Sequence, residues 1–424
     1  MKSQQNVAVV GGGVSGITAA YLLQNQHDVT LFEKNDYVGG HTHTVMIPHG
    51  EDAGTAVDTG FIVMNDRTYP LFTKLLTRLG VELSPTQMSF SYTCRKTGLQ
   101  YASRNLNTLF AQRRNVIRPD FWRFLLGVHG LMKQIRMDLQ KESGSGLSGM
   151  TVGQYLSKHK IDPMVVTCFI LPMSAAIWSA SDAEMSAFPM ATFARFYENH
   201  GLLTVSGQPQ WYVVKGGSHS YVKRFLDGFK GVVKTGAPVS GIRRLGDGVE
   251  IQCNNASYTF DKVIVAAHAD EAFAMLQDPS PEEKALLGPW RYSRNHVFLH
   301  DDTTFLPSEP RAGACWNYIR EEGTDGAAPI TVTYDMTRLQ NLKSAKTWCV
   351  TLNPGRPIDS SSIVKEIVYH HPLFTFDSVA TQEGLQRLNG ANNTWYCGSY
   401  FGYGFHEDAV ASAVSVARFL GGEL

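Results

Sequence analysis

The sequence predicts an α/β protein organised around a dinucleotide-binding βαβ unit, and two observations predict it. Residues 6–33 place a short apolar strand, a glycine-rich turn, a helix, a second strand and an acid in that order. The composition supports a large folded core. Apolar residues make up 43% of the 424 positions and charged residues 18%, below the usual share of about 25%. A chain of this length is expected to hold about two to three domains and needs no disulfide or metal staple to fold.

Each element has its own justification. Val7-Ala8-Val9-Val10 reads as a strand buried on both faces. It runs into Gly11-Gly12-Gly13-Val14-Ser15-Gly16, a G-x-G-x-x-G. Ile17–Leu23 has helical spacing, with Ile17, Ala20 and Tyr21 on one face. Val29–Phe32 is the second strand, and Glu33 stands at its end. Gly11 allows the tight turn, Gly13 lets the backbone approach a pyrophosphate, and Gly16 lets helix and strand pack closely. The helix start supplies N–H groups and a positive dipole end to the phosphate. Glu33 is placed to hydrogen-bond a ribose diol and to repel a 2′-phosphate.

After Glu33 the chain reads E-x5-G-G-x-T through Gly39, Gly40, His41 and Thr42. Further segments are Val57-Asp58-Thr59-Gly60-Phe61, Trp211–Gly217, Pro238-Val239-Ser240-Gly241-Ile242, Asp261–Ala267, Trp395–Ser399 and Gly404–Ala409. Together these resemble the flavin amine oxidase and phytoene desaturase superfamily. They are also similar to a bacterial subgroup of NAD/FAD-binding, amine-oxidase-like proteins associated with cyclopropane-fatty-acyl synthases. His41 stands where that superfamily usually has arginine.

The resemblance implies a glutathione-reductase-like, amine-oxidase-like fold. A Rossmann-type FAD-binding domain, discontinuous in sequence (1–70, 205–270 and 375–424), would carry a second, mixed α+β substrate-binding domain (71–204 and 271–374). It implies non-covalent FAD, since no attachment motif is present. The residues it assigns to FAD are Gly11, Gly13, Val14, Ser15, Gly16, Glu33, Lys34, Gly40, His41, Thr42, Thr59, Gly60, Phe61, Val239, Gly398, Ser399, Phe405, His406 and Ala409. For His406 the backbone N–H, rather than the ring, is the expected contact. A helix dipole at the flavin's pyrimidine edge would favour the reduced, anionic flavin.

Two departures bear on the substrate. Amine-oxidising relatives carry a lysine near flavin N5. On the strand Ser293–Leu299, Asn295 or His296 falls at that place. Phe405 replaces a tyrosine of their aromatic cage. The expected function is therefore an FAD-dependent oxidoreductase acting on an apolar substrate, an unsaturated or modified fatty acyl chain, by hydride transfer to flavin N5. The alternatives are an amine oxidase producing hydrogen peroxide, a flavin-dependent double-bond isomerase, or a flavoprotein that serves to bind a partner. No side chain is assigned a catalytic role from sequence. No second G-x-G-x-x-G marks an NAD(P)H domain, so oxygen, a quinone or another carrier is the expected oxidant.

Lys plus Arg and Asp plus Glu are both 38, which argues against nucleic acid, because phosphate binding needs a basic field. The six cysteines contain no CxxC pair, so reduced thiols in a cytoplasmic protein are expected. The apolar run after Asn6 is too short for a signal peptide. The histidines lack companion ligands at metal spacing, and no metal is expected. Residues 163–181 hold no charge. They read either as a buried helix pair or as the wall of an apolar cavity, with Pro172 arguing against a membrane span. Residues 104–136 hold Arg104, Arg113, Arg114, Arg118, Arg123, Lys133 and Arg136 against Asp120 alone, with apolar residues at helical spacing. They read either as an ordinary basic surface helix or as a contact with an anionic membrane. Ser143–Gly146 and Glu321–Ala328 are expected loops.

Overall fold

In the computed structural model, which describes residues 4–141, 146–204, 207–321 and 331–424, the strand Asn6–Val10 lies at the centre of a parallel five-stranded sheet. The order is Val232–Lys234, Asp28–Phe32, Asn6–Val10, Lys262–Val265 and Thr394–Tyr396. The unbroken apolar run has a direct cause. Val7, Val9 and Ile264 enter one core with the helices Val14–Leu23 and His406–Phe419. Ala8, Val10, Val263 and Val265 enter another with Ile242, Val249 and Ile251 of an antiparallel meander. The first helix is buried almost all round, not on the single face expected, because it is sandwiched between the sheet and the C-terminal helix.

A second, seven-stranded mixed sheet runs in the order Ile363–Leu373, Arg291–His300, Cys349–Leu352, Thr331–Asp335, Trp316–Arg320, Phe90–Cys94 and Gln100–Ala102. Helices from residues 106–199 cover it. A small third sheet pairs Trp211–Val214 with both Met64–Asn65 and Leu83–Thr86. The charge-free segment is a helix over Pro163–Val165, one widened turn over Val166–Ile170 and a helix over Leu171–Trp178, stopped by Ser179 in the left-handed region. No described helix is long and apolar enough to cross a membrane. All six cysteines are unpaired. Positions 143–145 and 322–328 of the two expected loops lie outside the described residues.

His300 contributes, beside His371, to a pH limit on this second sheet. His300 is fully buried, with Nε2 2.7 Å from the Thr351 hydroxyl and Nδ1 accepting from the Asp302 N–H at 3.1 Å. Burial lowers its pKa to about 4. Because the folded value lies below the unfolded one, the stability this group contributes is full above pH 6.5 and is lost as pH falls through about 4. At 1.36 kcal/mol per pKa unit the loss reaches roughly 3 kcal/mol. Urea unfolding at several pH values is expected to show this slope in the wild type and a shallower one in His300→Gln.

Candidate cofactor and substrate site

One cavity of about 1790 Å³ runs from the glycine turn of the parallel sheet across to the seven-stranded sheet. Of the residues expected at FAD, Gly11, Gly13, Val14, Ser15, Glu33, Lys34, Gly40, His41, Gly60, Phe61, Val239, Gly398, Ser399, Phe405, His406 and Ala409 all line it. Gly16 does not; it packs against the backbone of Gly11, in keeping with its packing role. Thr42 and Thr59 stand one layer behind the wall. The Thr42 hydroxyl is shared between the Tyr221 hydroxyl at 2.5 Å and His406 Nε2 at 3.0 Å. The Thr59 hydroxyl lies 2.9 Å from both the His43 carbonyl and the Tyr369 hydroxyl.

The chain's own bonds test whether a dinucleotide fits. Glu33 Oε2 accepts from the Gly12 N–H at 2.7 Å, and Oε1 accepts from the backbone and side-chain N–H groups of Asn35, both at 2.8 Å. Ionised carboxylates offer about four lone-pair sites, so a ribose hydroxyl can add to these three bonds. A Cβ at Gly13 would meet no atom of the chain within 4 Å. His41 Nε2 is buried and has no hydrogen-bond partner among the described residues. It stands where the superfamily pattern has arginine, and it can donate to a phosphate in the tautomer that carries the proton on Nε2. The residues therefore fit the group: a glycine-lined backbone for the pyrophosphate, an acid for the ribose and an unpaired imidazole nitrogen beside them.

At the other end of the expected flavin position, the His406 ring stacks on Phe61 at 3.9 Å between centroids. The ring is thus held within the chain, by Phe61 and by the Thr42 hydroxyl. Burial lowers the pKa of His406 to about 3. Its helix is preceded by a tight turn over Gly402–Phe405. The Asp408 carboxylate accepts from the Phe405 N–H at 2.9 Å, and burial raises its pKa to about 6. Gly404 sits at φ +93°, where a Cβ would meet Pro372 and Phe374 at 3.2–3.3 Å.

The sequence reading missed several wall residues. His268, Tyr292, Tyr369, His370 and His371 all line the cavity. The His41 ring lies 5.3 Å from that of His371 and 4.9 Å from that of Tyr369. His268 stacks on Tyr292 at 4.4 Å. Burial keeps His41, His268 and His371 neutral, lowering His41 to about 4 and His268 to about 3. Asn295 and His296 do not line the cavity. The Asn295 side-chain amide bonds Ser293, His371 Nδ1 and Asn353, and His296 faces Glu366. The strand presents Tyr292 to the cavity instead. Among the described residues no His, Cys, Asp and Glu group could hold a metal ion.

The fold and this cavity define a flavin-dependent oxidoreductase, built on a dinucleotide-binding sheet with a second sheet roofing the cavity. The chain belongs to the flavin-containing amine oxidoreductase family, whose model matches residues 14–343, and its cofactor is FAD. It is 24% identical over 338 residues to a protein of Mycobacterium tuberculosis named as flavin-containing monoamine oxidase AofH, covering 78% of this chain and 71% of that one. In fold it is similar to the CLA-producing fatty acid isomerase of P. acnes, at TM-score 0.70 and 14% identity with 99% of each chain covered. It is equally similar to cyclohexylamine oxidase of Brevibacterium oxydans, at TM-score 0.70 and 15% identity, covering 98% of this chain and 99% of that one.

Proposed function

We propose that this oxidoreductase acts on a long apolar substrate, an unsaturated or modified fatty acyl chain. The observation that carries the reading is the distribution of charge on the cavity wall. The charged side chains there are Glu33, Lys34 and Glu271 at the dinucleotide end, and Arg104, Lys133 and Arg136 elsewhere. Lys34 and Glu271 pair with each other, and Glu33 is bound to Gly12 and Asn35. The space between is walled by Phe124, Leu125, Val128, Met132, Phe169, Met173, Ile177 and Trp178. The charge-free segment at 163–181 supplies four of these, which favours the cavity-wall reading over a buried helix pair alone.

A protonated amine needs a carboxylate or an aromatic cage to replace its hydration. This wall offers it no free carboxylate, and Phe405 is stacked at 5.0 Å on Phe196. An acyl chain needs only apolar contact, at about 0.8 kcal/mol per buried methylene. The cations Arg104 and Lys133 suit an acidic head, with Arg136 beside them paired to Glu198. FAD, when bound, supplies the hydride acceptor. The chain's own residues hold the acyl tail, exclude water through the apolar wall and keep the imidazoles beside the reacting region neutral.

The test is an anaerobic visible spectrum of the holoprotein titrated with unsaturated and cyclopropane fatty acyl lipids, then with amines. Bleaching of the flavin by a lipid is expected. Bleaching by amines alone would replace this reading with amine oxidation. Lipid turnover without net bleaching or oxygen uptake would replace it with isomerisation.

A further inference from the structure

We infer that the surface formed by residues 106–137 docks the protein on an anionic lipid bilayer. The inference concerns a surface outside the cavity and does not rest on the substrate reading. Most large apolar side chains of the chain are buried, but here several are not. Ile117 is 84% exposed, Leu126 71%, Val116 48% and Trp122 46%. They form one patch. The Trp122 indole N–H donates to the Val116 carbonyl at 2.8 Å, fixing the ring beside that turn. Leu126 follows Trp122 by one helical turn on the same face of Pro119–Gln140. Isolated exposed apolar residues are ordinary, but a contiguous patch is not.

The charges around the patch identify the occupant. Arg113, Arg114 and Arg123 are exposed and Arg118 is half-exposed. Arg118 pairs with Asp120 and Arg123 with Asp162, while Arg113 bonds only the carbonyl oxygens of Asn107 and Phe110 and the Asn107 side chain. The net field beside the apolar patch is positive. An aromatic and branched aliphatic tip with arginines at its rim matches the boundary between acyl chains and anionic headgroups. The helix is too polar to span a bilayer, so it lies on the surface.

The same helix turns its next face to the cavity. Leu125, Val128 and Met132 line the apolar wall, and His129, Lys133 and Arg136 are both cavity-lining and exposed. The cavity therefore opens beside the docking face. A bilayer-bound protein would have its opening against the lipid, and an amphiphile could pass in without crossing water.

The test is sedimentation of the FAD-loaded protein with vesicles of equimolar phosphatidylglycerol and phosphatidylcholine, against pure phosphatidylcholine. Binding to the anionic vesicles is expected, with weakening as salt rises. Arg113→Gln/Arg114→Gln is expected to reduce partitioning about thirtyfold, on roughly 1 kcal/mol per basic residue near the surface. Ile117→Asp/Leu126→Asp is expected to reduce it at least tenfold, with flavin content and visible spectrum unchanged. Absence of binding to anionic vesicles, or binding that these variants do not alter, would overturn the inference. A wild-type dimer in solution that Ile117→Asp/Leu126→Asp dissociates, without vesicle binding, would reassign the patch to self-association. None of these outcomes depends on turnover, so they are independent of the flavin titration.

Discussion

Replacing Gly13 by alanine is expected to give a folded protein that purifies almost colourless. Gly13 has φ −74°, an ordinary value for alanine, and a Cβ there would touch nothing within 4 Å of the chain. Folding therefore has no steric objection. The only thing the methyl group can meet is what lies against the turn, and that is where the backbone must approach the pyrophosphate. A loss of at least about a hundredfold in FAD affinity, close to 3 kcal/mol, is expected. Gly16→Ala is the contrast. Its Cβ would lie 1.9 Å from the Gly11 carbonyl oxygen, a distance no local relaxation absorbs. That variant is expected to lose soluble folded protein along with the flavin. Circular dichroism, unfolding midpoints and fluorimetric titration with FAD on both variants separate the two effects. A Gly13→Ala protein that binds FAD normally would place the pyrophosphate elsewhere.

The contrast shows why the nucleotide end was legible in sequence and the substrate end was not. Strand, turn, helix and acid in residues 6–33 are neighbours in the chain, and each has a residue type its geometry demands. The wall residues His268, Tyr292 and Tyr369–His371 have no such signature. Tyr292 and Tyr369–His371 reach the cavity because Arg291–His300 pairs along the whole length of Ile363–Leu373, a pairing between segments about seventy residues apart, and His268 reaches it as the residue before the helix Ala269–Met275. Alternation along those strands does not say which side chains end at the cavity. Asn295 illustrates the limit. Its place in the strand was readable, but its engagement with His371, Ser293 and Asn353 is tertiary. Thr42 and Thr59 show the same limit: motif spacing gave their neighbourhood, while the bonds of their hydroxyls to Tyr221 and Tyr369 are tertiary. The exposed tip at Val116–Leu126 was hidden for another reason. Helical periodicity marks the buried stripe, and Trp122 and Leu126 fall off it.

Breaking the buried ion pair between Arg244 and Glu283 is expected to cost the fold about 3–5 kcal/mol. Arg244 sits on the meander strand Val239–Leu245, and its side chain is 6% exposed, that of Glu283 5%. Its guanidinium bonds Glu283, Asp278 at 2.8 Å, the Tyr396 hydroxyl at 2.9 Å and the Thr394 hydroxyl at 3.3 Å. The Tyr396 hydroxyl in turn donates to Glu283 at 2.5 Å. One planar fork thus ties the meander to the helix Pro281–Leu287 and to the last strand of the parallel sheet. Lysine cannot replace it, having a point charge rather than a fork. Arg244→Met would strand the Glu283 carboxylate in the interior, at about 3–5 kcal/mol. Arg244→Met/Glu283→Gln removes both charges while leaving an acceptor for the capping Ser280 N–H, and about half or more of the loss is expected to return, since no charge is then left unpaired in the interior. The damage should reach the cofactor, because Tyr396 is two and three residues from Gly398 and Ser399 on the cavity wall. Urea unfolding and the midpoint of flavin release, measured on both variants and on wild type, are expected to move together. Equal stability of the single and double variants would show that Glu283 is not left unpaired, and that the pair is no staple.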